Sequence, residues 1–94
     1  MSKPRITMTI SDDGSFFELY LNEAGRSKLI RELQALNETD EHLHLDPDGG
    51  GDIVLSTKAY DARQTVIRYG KIYLRKDEWD AVHFPHLMAS DEEA

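Results

Sequence analysis

Cysteine is absent from this 94-residue chain. That excludes a disulfide framework, a thiolate nucleophile and Cys-ligated zinc or iron–sulfur centres, and it fits a reducing compartment. Long apolar runs are missing as well. No stretch approaches the ~20 apolar residues of a membrane helix, and the opening MSKPRITMTI lacks the core of a secretory signal. Positive charge is scarce: 11 Lys and Arg face 18 Asp and Glu, for a formal charge of −7 with the four His neutral. Such a balance repels phosphate backbones, and the cations are scattered (Arg26, Lys28 and Arg31; Arg75 and Lys76), so nucleic-acid binding is not expected. A phosphate-binding glycine motif followed by Lys and Ser or Thr, a dinucleotide fingerprint and a nucleophile elbow are also lacking. The expectation is a soluble cytoplasmic protein with no cofactor and no membrane partner. Its acidity serves solubility and also leaves room for a basic partner.

What is present suffices for one modest core, since 39% of the residues are hydrophobic. We expect a single domain over residues 1–88 and a disordered acidic tail over 89–94. Arg5 to Ile10 and Phe16 to Leu21 alternate apolar and polar residues around Ser11-Asp12-Asp13-Gly14-Ser15, the pattern of a β-hairpin with Asp-Gly in its turn. The alternation predicts that Phe17, Leu19 and Leu21 face a covering helix while Phe16, Glu18 and Tyr20 face outward. From Asn22 the period changes. Arg26, Leu29, Ile30, Leu33 and Leu36 follow helical spacing, with Asn22 as N-cap, which predicts a helix from about Glu23 to Leu36.

His42-Leu43-His44-Leu45 alternates strictly and reads as a strand, followed by the breaker-rich loop Asp46 to Asp52 and a short strand from Ile53 to Ser56. Gln64 to Leu74 is rich in β-branched and aromatic residues and reads as one long strand interrupted at Gly70. Asp77 to Val82 is expected to form a short helical segment, and Pro85 to mark the start of fraying. The order ββαβββ predicts an α+β fold of two layers, with a mainly antiparallel sheet of about five strands and one helix on one face.

Three side-chain constellations invite chemistry. Asp46, Asp48 and Asp52 are hard oxygen ligands in a flexible loop, but their spacing departs from that of a calcium-binding EF-hand. His42 and His44 project from one face of a strand and would bind zinc if a third ligand joined them, for which His83, His86 or a loop Asp are the candidates. Tyr20, Tyr69 and Tyr73, placed with the two histidines on the outer sheet face, form a surface rich in the amphipathic rings that anchor interfaces. No spacing implies a partnered nucleophile or an acid–base pair, so no catalytic residue is assigned.

The helix with Leu29-Ile30 and Leu33, the strand His42-Leu43-His44-Leu45, the turn with Pro47 and Gly49-Gly50-Gly51, then Leu55-Ser56 and the closing Lys71-Ile72-Tyr73-Leu74 resemble the bacterial immunity protein 32 family over about residues 16 to 74. The resemblance implies a small intracellular protein that neutralises a cognate toxin by binding it, not an enzyme. The expected contact surface comprises His42, His44, Tyr20, Tyr69 and Tyr73 with Asp46, Asp48 and Asp52. The alternatives are a metal-binding protein using His42, His44, His83 and His86, or a homodimer that pairs through a strand edge or the aromatic face.

Overall fold

A computed structural model describes residues 3–88, so the expected acidic tail lies outside the described residues. The order is β1 (Ile6–Ile10), β2 (Phe17–Leu21), α1 (Glu23–Gln34), β3 (His42–Asp46), β4 (Ile53–Val54), β5 (Thr65–Val66), β6 (Gly70–Tyr73) and α2 (Asp77–His83). The fold is α+β, as expected, but its strands form two three-stranded sheets, ordered β2-β1-β5 and β4-β3-β6. All described pairings are antiparallel except β3 with β4.

The hairpin forms as its turn residues predict. Gly14 at φ 75° supplies the left-handed position, and the Asp13 carboxylate accepts from the Ser11 hydroxyl and from both the backbone N–H and the hydroxyl of Ser15. Those bonds favour the ionised form and hold its pKa down at about 2.

Asn22 fastens the helix to β1. Its Oδ1 accepts from Gly25 N–H at 2.7 Å and from Arg5 N–H at 2.9 Å, and its Nδ2 donates to the Lys3 carbonyl at 2.8 Å. Gly25 then lets the first turn lie against β1: a Cβ there would sit 2.5 Å from the Arg5 carbonyl oxygen and 3.0 Å from Ile6 Cγ1. This places α1 on the face of β1 that carries Ile6 and Met8. Leu29 enters the core from the helix, while Ile30 and Leu33 stay exposed, so the helix buries a narrower stripe than its spacing predicts.

The expected long strand Gln64–Leu74 is divided. β5 pairs with β1 (Thr9 opposite Val66) and β6 pairs with β3 (His42 opposite Tyr73), so the chain passes from one sheet to the other between Val66 and Gly70. A second crossing follows β4, where Leu55 N–H donates to the Asp46 carbonyl and Ser56 N–H to the Ile6 carbonyl, both at 2.8 Å. Ile67 N–H donates to Met8 at 2.8 Å on the other crossing. Two sheets replace the single expected sheet because these non-local hydrogen bonds, not the local alternation, decide where each short strand pairs.

One core serves both sheets: Ile6, Met8, Leu29, Leu43, Leu45, Ile53 and Leu55 are buried in contact, with Leu36, Ile67 and Ile72 packed at its margin. β1 is buried on both faces. Phe17, Leu19 and Leu21 share the helix-side face, as expected, but they are more exposed than Glu18 and Tyr20. The cause is the segment following β4. The Tyr60 ring stacks on Tyr20 at 4.0 Å, and Gln64 Nε2 donates to Glu18 Oε1 and to the Tyr20 hydroxyl, covering the face that the alternation assigned to solvent. Residues 85–88 are helical, where fraying was expected, with Pro85 at a helix start that needs no N–H.

Candidate functional site

β3 and β6 build the site. Their register sets His42 opposite Tyr73 and His44 opposite Lys71, while Leu43 and Leu45 turn into the core opposite Ile72 and Gly70. His42, His44 and Tyr73 therefore share the outer face, as the sequence predicts. The two imidazoles meet edge-on at 4.8 Å between centroids, and His42 lies 5.4 Å from the Tyr73 ring. His42 Nδ1 is buried and makes no hydrogen bond among the described residues.

Beyond β6 the surface is extended by residues that sequence reasoning missed. The Arg75 guanidinium sits 4.6 Å from the Tyr73 ring centroid and 4.4 Å from that of Trp79, and so bridges β6 to α2 as a cation between two aromatic faces. It also forms an ion pair with Glu41 Oε2 at 3.3 Å. Tyr73, Arg75 and Trp79 at these spacings were the available signal, readable only once the chain was known to turn after Leu74. Lys76 pairs with Glu38; the carboxylate raises the ammonium pKa and is itself lowered by it. A crevice of about 370 Å³ opens here, lined by Glu38, Glu41, Arg75, Lys76, Glu78 and Trp79. A second crevice of about 500 Å³ is lined by His42 and His44 together with Glu32, Asp40, Glu41 and Asp52, among others. Carboxylates thus line both crevices beside the aromatic face, Glu38 and Glu41 being paired with Lys76 and Arg75.

The loop aspartates are placed by backbone work. Asp46 Oδ1 accepts from the N–H groups of Asp48 and Gly49, with Gly49 at φ 86°, and Asp52 Oδ2 accepts from His44 N–H at 2.9 Å and stands 3.8 Å from His44 Nδ1. Gly51 is required by close approach, since a Cβ would meet the His44 carbonyl oxygen at 2.7 Å. Tyr69 joins this loop through its hydroxyl, 3.4 Å from Asp48 Oδ2. Tyr20 is not part of the surface: it belongs to the other sheet, where Tyr60, Glu18 and Gln64 engage it. The Gln64 hydrogen bond lowers its pKa, but desolvation and the Glu18 carboxylate outweigh that and raise it.

The four histidines do not converge. His83 lies against the Trp79 ring at 4.2 Å, His86 is set edge-on to Phe84, and among the described residues no three His, Asp or Glu side chains form a metal-holding group. The zinc alternative is corrected on that geometry, because α2 commits His83 to Trp79 and away from the β3 pair. The loop carboxylates accept from N–H and hydroxyl donors of the same loop and of β3 and Tyr69. Among the described residues no helix is long and apolar enough to cross a membrane. No protein-family model, curated protein or solved structure matches the chain, so a functional reading rests on its own residues.

Proposed function

We propose that this chain is a non-enzymatic protein-binding module acting in the cytoplasm, and that its partner is a toxin it neutralises by direct association. The observation that carries the reading is the outer face of β3 and β6, where His42, His44 and Tyr73 lie together, continued by Arg75 between Tyr73 and Trp79. Half-exposed rings with a stacked Arg are the residue types that anchor interfaces. The flanking carboxylates and the charge of −7 favour a basic partner and a salt-dependent association rate. The resemblance of residues 16 to 74 to bacterial immunity proteins supplies the toxin as the partner class.

The test is affinity capture from lysate of the source cells with the intact chain and with a His42→Ala/His44→Ala/Tyr73→Ala variant as baits, followed by expression of the captured partner. Support requires a partner held by the intact chain and lost by the variant, whose expression arrests growth unless the intact chain is co-expressed. A partner retained equally by both baits moves the contact off this surface. One that is harmless when expressed alone removes the toxin assignment.

A further inference from the structure

The strongest unexplained feature lies on the other sheet. β2 is its terminal strand, and β1 engages the backbone of only alternate residues: Ser11 N–H donates to Phe16 and Asn22 N–H to Arg5, so the hydrogen-bonded partners on β2 are Phe16, Glu18, Tyr20 and Asn22. The N–H and C=O groups of Phe17, Leu19 and Leu21 point to the unpaired edge, where no described residue bonds them. Their side chains are also exposed, at 51%, 41% and 37%.

Edge strands of natural proteins are blunted by Lys, Pro, a bulge or shortness. In the second sheet the terminal strand β6 turns the backbone of Lys71 and Tyr73 to its open edge, so a Lys sits there, while the other terminal strand β4 and the terminal strand β5 of the first sheet are each only two residues long. β2 (FELYL) has none of these devices. Its one charge, Glu18, is bonded by Gln64 and Tyr20 on the covered face.

We propose that β2 pairs antiparallel with β2 of a second copy of this chain about a two-fold axis through Leu19. In that register Leu19 faces Leu19 and Phe17 faces Leu21 of the other copy, and all three open N–H and all three open C=O groups are bonded on each side. The strand is self-complementary in this register. Moving the axis to Glu18 would oppose like charges, and moving it in either direction leaves open backbone groups unpaired. The paired apolar residues continue the face of β1 that α1 covers. Phe17, Leu19 and Leu21 are each more than a third exposed, so pairing the two strands takes apolar surface of both copies out of water. This inference is independent of the β3–β6 surface, which stays open in the pair.

Two measurements test it on the full chain. Sedimentation equilibrium from roughly 10 µM to 1 mM should show a monomer–dimer equilibrium, weakened roughly tenfold or more by Leu19→Lys with an unchanged far-ultraviolet spectrum. In the cysteine-free background, oxidation of Leu19→Cys should give a covalent dimer, because opposed residues of a hydrogen-bonded pair are about 5.5 Å apart between Cα atoms, within disulfide reach. Phe17→Cys and Leu21→Cys should cross-link to each other when mixed and not each to itself. A monomer across the whole range, or self-linkage of Phe17→Cys as fast as that of Leu19→Cys, overturns the proposal.

Discussion

At the scale of single residues, Asn22 links three stretches of chain. It caps α1, receives Arg5 N–H and reaches the Lys3 carbonyl, so it fixes where the helix starts relative to β1. Asn22→Ala should lower stability by about 2 kcal/mol, at the upper end for a cap. Asn22→Asp keeps the acceptor and loses only the bond to Lys3, so its loss should be the smaller in urea denaturation. Thr7 offers the opposite case. It is fully buried and its Oγ1 has no hydrogen-bond partner among the described residues, so Thr7→Val should raise stability by about 1 kcal/mol. Asp13 sets part of the acid limb. Its pKa falls from 3.8 to about 2 in the fold, so the stabilisation is fully present above the unfolded value and disappears as pH drops from about 4 towards 2. Asp13→Asn should lower the melting temperature at neutral pH and flatten its fall through that window.

Elements differ in how much of them local sequence determines. α1, the hairpin and β3 were readable because each is specified within a dozen residues: a cap and a 3.6-residue period, Asp-Gly between alternating runs, and His-Leu-His-Leu. The same alternation placed His42, His44 and Tyr73 on one face correctly. β5 and β6 were unreadable as separate strands because nothing local in Gln64–Leu74 states that Val66 will meet Thr9 while Tyr73 meets His42. Coverage of β2 had the same difficulty. Alternation divides Phe17 to Leu21 into two faces, but the ring of Tyr60, 40 residues from Tyr20, decides which is the drier one. Tyr20 was assigned to the site for that reason. Arg75 escaped notice because its two aromatic neighbours lie on different elements. Gly25 sits where the elements meet, and Gly25→Ala forces a Cβ to 2.5 Å from the Arg5 carbonyl oxygen, which is backbone and cannot rotate away. The cost should be on the order of 2 kcal/mol although alanine is the better helix former, read as a lower urea midpoint.

For the whole molecule, the arrangement of the core decides whether two small sheets behave as one protein. A three-stranded sheet with an open face is close to the lower limit of independent stability. Here Leu43 and Leu45 of one sheet meet Ile6 and Met8 of the other around Ile53, which is 0% exposed and belongs to the strand that leads from β3 across to β1. Ile53→Ala should therefore cost about 2–5 kcal/mol, and the loss should reach both sheets equally. Native-state hydrogen exchange distinguishes the cases. In a single cooperative unit the amides of Ile67, bonded to β1, and of Leu74, bonded to Glu41, lose protection by the same amount in the variant. If the sheets opened separately, Leu74 would lose protection while Ile67 kept it. The shared core also explains how the two surfaces stand to one another. Each sheet turns one face inward to the same few side chains, so the two proposed contacts, the β3–β6 face and the β2 edge, lie on different sheets joined by that core.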